Sequence, residues 1–182
     1  MKPTHWRLLM LAVASLLVTL PSQAQKRYDP LNQKEIDDLR ETNQEPDKRL
    51  KLYIAYARAR LVSLEEARAN PKTQNRGEIT HEWLTDFLDI YDELDDNVDM
   101  YVQRKDDFRK AMQSVIEADA EFQSKLLALR DAANVPIEEY KQYEFVLKNA
   151  LETVDSAVDD HKKTLQNLEE EAKKKKKKKD KE

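Results

Sequence analysis

The chain has 182 residues, 37% of them charged, with one glycine and no cysteine. Without cysteine there is no disulfide, no thiolate metal ligand and no cysteine nucleophile. The formal net charge of −4 offers nucleic acid no general attraction.

Lys2 and Arg7 flank the start of an apolar run from Leu8 to Leu20, Pro21 ends it, and Ser22-Gln23-Ala24 supplies small residues for a cleavage site. This is the pattern of a secretory signal peptide at 1–24, cut between Ala24 and Gln25. The run is short for a membrane span, which needs about 20 apolar residues. The chain is therefore read as exported, to a periplasm or the extracellular space. Beyond that segment 30 basic residues face 36 acidic ones; 173–182 holds eight lysines and two acids, which leaves 25–172 near −12. The division is a helical domain at 25–172 and a lysine-rich tail at 173–182, expected to be disordered because like charges repel.

Within the domain, Asn32 and Glu35 have the spacing of a capping box, with Leu31 and Ile36 placed as a staple. A short helix to about Glu41 should follow and must dock on the rest, because Ile36 and Leu39 are its only apolar contacts. Pro46 suits a first helical turn, and Leu50, Tyr53, Ile54, Ala57, Leu61 and Leu64 then recur at helical spacing up to the stop at Asn70-Pro71. The polar stretch 70–78, with Gly77, is expected to be a flexible loop.

From Thr80 to Ala133 there is no Gly and no Pro, and apolar residues from Leu84 to Leu129 keep one heptad frame that only Lys105 and Asp119 break. A 3.5-residue period held this long predicts one very long central helix of coiled-coil type. Asn134 and Pro136 turn the chain into a last helix whose seam, from Ile137 to Leu168, is interrupted at Glu144 and His161. The predicted fold is all-α: an elongated antiparallel helical bundle, three helices thick at one end and projecting as two at the other. In the alternative, the polar run Gln103–Asp107 breaks the long helix and gives an up-down four-helix bundle.

Little in this pattern carries chemistry. His81 and His161 fall far apart, with His161 opposite Phe108, and His161 reads as a polar residue of a helix interface. Asp86, Asp89, Glu93 and Asp96 fall on the outer face of the heptad frame, and Asp92, Asp95 and Asp99 beside it, so the acidic run reads as a solvated face. Lys105 and Asp119 at core positions read as residues that fix register. No metal ion or other cofactor is expected, and no phosphate loop, nucleophile elbow or triad is present. The lysines Lys173, Lys174, Lys175, Lys176, Lys177, Lys178 and Lys179 are the candidate contact with an anionic envelope surface; no aromatic residue interleaves them, so specific nucleic-acid binding is not expected.

The general shape resembles helical-hairpin envelope proteins, periplasmic holdase chaperones among them, a likeness of form alone. The expected function is non-enzymatic: an exported structural or interaction protein of the cell envelope that presents a coiled-coil surface to a protein partner or to another copy. Holdase activity, or tethering through the basic tail, are the alternatives.

Overall fold

The computed structural model describes residues 29–179; the expected signal segment and residues 180–182 lie outside the described residues. Over the described residues the protein is an all-α bundle of five helices: α1 (Gln33–Glu41), α2 (Pro46–Ala69), α3 (Arg76–Arg104), α4 (Arg109–Arg130) and α5 (Ile137–Lys179).

The short α1 starts as its sequence predicts. The Asn32 side chain accepts from the Glu35 N–H at 3.1 Å, and Glu35 accepts from the Asn32 N–H at 2.9 Å. Its docking is more polar than its apolar residues imply. Arg60 of α2 grips Glu35 with two prongs, at 3.0 and 2.5 Å, and donates a third bond to the Pro30 carbonyl at 2.7 Å.

The expected single helix over 80–133 is two helices. α3 ends at Arg104, and Lys105 takes a left-handed conformation with φ 61°. Lys105 N–H donates to the Val102 carbonyl and Asp106 N–H to the Tyr101 carbonyl, each at 3.1 Å. This pair of bonds is the Schellman closure, formed here with lysine where glycine is usual. Lys105 is thus an exposed turn residue rather than a buried register residue. Phe108 then enters the core, its ring centroid 5.7 Å from that of Tyr101. At the start of α4 the Ala111 N–H is accepted by Asp47 of α2 at 3.2 Å.

The result is the four-helix alternative. Cross-helix pairs fix the directions. Arg58–Glu121 and Lys125–Glu65 join α2 and α4 in parallel, whereas Arg49–Asn97 joins α2 and α3 antiparallel. Around the bundle the order is α2, α3, α5, α4, so the consecutive helices α3 and α4 lie on a diagonal. Their aromatic side chains meet in the centre, with Phe87 and Phe122 edge to face at 5.3 Å and Tyr91 and Phe122 at 6.1 Å. The seam that seemed to need an outside partner is covered from within, and no two-helix projection remains.

Gly77 lies in the first turn of α3, not in a flexible loop. A methyl group there would meet the Gln142 side chain and come within 2.9 Å of the Glu139 carbonyl of α5. Glycine lets α3 and α5 approach, and Arg68 of α2 closes this end by donating to Thr80 and Glu139, both at 3.0 Å.

The last helix runs through the lysine run to Lys179, where a disordered tail was expected. Asp119 lies ten residues after the start of α4 and faces His161, so α5 draws level with that start at about Glu171. The following eight helical residues carry the chain about 12 Å beyond the bundle.

Candidate functional site

The most polar part of the core is built from three helices. Asp119 of α4, 1% exposed, accepts from the Tyr91 hydroxyl of α3 at 2.7 Å and pairs with His161 Nδ1 of α5 at 2.8 Å. His161, also 1% exposed, places Nε2 3.0 Å from Oδ1 of Asp95 on α3. His161 therefore faces Asp119 and not Phe108, and Asp95 belongs to this network rather than to a purely solvated face. Of the exceptions to the apolar seams of α4 and α5, Asp119 and His161 prove to be each other's partners, while Glu144 is exposed.

The electrostatics follow from the geometry. Burial disfavours a charged imidazole, but the hydrogen bonds from Asp119 and Asp95, together with their charges, outweigh it and lift the ring up to about 9. Burial, then the charge of Asp119, raise the Tyr91 hydroxyl above its ordinary range. His161 is thus an imidazolium between two carboxylates. In that form both ring nitrogens donate, Nδ1 to Asp119 and Nε2 to Asp95.

Asp95 and His161 form part of the floor of a polar groove between α3 and α5. Its volume is about 460 Å³, and Asp99, Glu152 and Asp160 line it as well. Among the described residues no group of three or more His, Asp and Glu side chains is placed to hold a metal ion. His81 is exposed near the start of α3, fourteen residues from the Asp95 contact.

The candidate surface residues Lys173 to Lys178 are exposed on the projecting turns of α5, and Lys179 is its last residue. Near the opposite end of the bundle, Asp86 departs from its expected place on the outer face: it is only 6% exposed. Burial pushes its carboxyl up to about 6; the charge of Arg60 opposes this, and those of Asp89, Glu82 and Glu35 add to it. Asp86 sits three residues past Trp83, beside a cavity of about 360 Å³.

The heptad pattern hides these arrangements in different ways. Tyr91 counts there as one more apolar seam residue, and its hydroxyl leaves no trace in the period. Asp86 lies on a face that a two-helix seam leaves open, yet it is buried in the bundle.

No family model, no curated protein and no solved structure matches this chain.

Proposed function

We propose that this chain is a non-enzymatic, exported helical protein of the cell envelope, held at an anionic surface by the lysines on the projecting end of α5. One observation carries the reading: a 43-residue helix outruns its bundle and bears its exposed lysines there. A lysine near an anionic bilayer contributes about 1 kcal/mol, screened by salt. The acidic body opposes that attraction, so projection beyond the body is what makes the contact workable.

The test is partitioning of the chain processed at Ala24–Gln25 onto vesicles with and without anionic phospholipid. Binding should require the anionic lipid, fall with salt, and disappear when 173–182 is deleted. Unchanged partitioning of the truncated chain overturns the tether.

A second reading, a protein partner or self-association through the helical surface, is favoured by one feature. Ile137 and Phe145, two turns apart on α5, are 62% and 84% exposed, and Phe145 is a large aromatic side chain left in water. Sedimentation of wild type against Phe145→Ser tests it; a monomer at all concentrations removes self-association.

A further inference from the structure

We propose that the α3 surface around Asp86 and Trp83 is a binding site for an alkylammonium group. Asp86 is nine-tenths buried, among the described residues no hydrogen bond or ion pair reaches its carboxylate, and its oxygens are not fully enclosed. A buried carboxylate is costly without a cation. The nearest cation does not supply one, because Arg60 is spent on both oxygens of Glu35 and on the Pro30 carbonyl. The carboxylate instead borders the 360 Å³ cavity, which Trp83, Thr85, His81 and Glu82 also line. On its other side Trp83 borders a second depression with Glu66 and Ile79, shared by α2 and α3.

An indole beside a lone buried carboxylate, with Glu82 and Glu66 at the rim, suits one positive charge on an apolar stem. The ammonium pairs with Asp86 while the alkyl chain lies along Trp83. A metal ion is a poor fit, since no cluster of oxygen ligands converges there.

The group has two sources: a free amine, or a lysine of a second copy. The chain's own lysine run is at the far end of the bundle. Trp83 lies about 30 Å along α3 from the end where α5 projects, so the run reaches Asp86 only in another molecule. Such a head-to-tail contact builds a ring where its rotation closes and a filament where it does not.

The experiment uses the full chain with Trp6→Phe, so that emission reports Trp83 alone. It is titrated with n-butylammonium chloride against sodium chloride at equal ionic strength, with calorimetry on the wild type as a tryptophan-independent measure. The expected result is a saturable response that Asp86→Asn weakens at least about tenfold. Asp86→Asn keeps the shape of the side chain; if it fails to fold by circular dichroism, Trp83→Leu read by calorimetry takes its place, with the same loss expected. No response beyond that of sodium, or an equal response in the variant, overturns the site.

Sedimentation then separates the sources. Self-association lost both in Asp86→Asn and on deleting 173–182 assigns the lysine of a second copy. Amine binding by a chain that stays monomeric assigns a free amine. Either result upholds the site, and neither bears on the vesicle test of the tether.

Discussion

The Tyr91 hydroxyl donates to the Asp119 carboxylate at 2.7 Å between two helices that share no edge of the bundle. The bond crosses the diagonal through the core, and His161 extends it to α5. Removing the acid strands the Tyr91 hydroxyl and leaves His161 only its Asp95 contact, so Asp119→Ala should destabilise the protein by about 3–5 kcal/mol. Tyr91→Phe removes one donor and leaves Asp119 its histidine, and should cost about 1–2 kcal/mol. Urea unfolding measures both; an Asp119→Ala variant within 1 kcal/mol of wild type would show that the network is not closed.

The histidine sets a pH dependence. A base whose folded-state pKa is raised contributes stability that is complete below its ordinary value near 6.5 and is lost as pH rises through about 9. The melting temperature should therefore fall between pH 6.5 and 9 beyond what the exposed groups contribute. His161→Gln should remove most of that slope, since Tyr91, Asp95 and Asp119 are then left without a titrating cation. Parallel profiles for the two proteins would place the pH dependence elsewhere.

Asp86 has the opposite sign. An acid with a raised folded-state pKa makes folding less favourable as pH rises from about 4 through 6, because the folded state binds the proton more tightly. At pH 7 the carboxylate is a standing cost, and Asp86→Asn should stabilise the protein by about 1–3 kcal/mol. The gain should vanish near pH 3, where both states are largely protonated. Thermal melts at the two pH values test this, and a loss of stability at pH 7 would contradict it.

Lysine at position 105 occupies a left-handed backbone conformation that glycine adopts without strain. Lys105→Gly should raise stability by about 0.5–1 kcal/mol, because the native φ is already that of glycine. An unchanged or lowered unfolding midpoint would indicate that the α3–α4 turn is not held as described.

At Gly77 the balance runs the other way. Alanine is worth about 1 kcal/mol more than glycine inside a helix, but its methyl group would press on the Glu139 carbonyl at 2.9 Å. The Gln142 side chain can swing aside; the Glu139 backbone cannot. Gly77→Ala should destabilise by about 1–2 kcal/mol in chemical unfolding.

Much of the fold was legible. The capping box at Asn32, Pro46 at the start of α2, the stop at Asn70 and the turn at Asn134 all stand as the residues imply. The break at Lys105 did not announce itself, for a physical reason. Tyr101 and Phe108 are seven residues apart and both face the core after the chain has turned, so the heptad frame runs on across a corner. The turn uses lysine rather than glycine, and only the polar run Gln103–Asp107 marks it. The wrong partner for His161 follows from that reading: counting back along an unbroken rod from Asn134 lands on Phe108, while α5 in fact slides along α4 until His161 meets Asp119. The burial of Asp86 was out of reach because a two-helix seam leaves its face open, whereas in the bundle that face is closed.

One consequence of the unbroken α5 is mechanical. Its axis runs from Ile137 at one end of the bundle to Lys179 past the other, so a load taken by the lysines acts along the helix and not across it. Tyr143, Leu147, Val154 and His161 are buried at successive levels of that axis, each seated among side chains of neighbouring helices. Sliding α5 outward must unseat them together, in shear, whereas peeling would free them one by one. A protein moored by this end resists being pulled off its anchor by the strongest direction of its own packing.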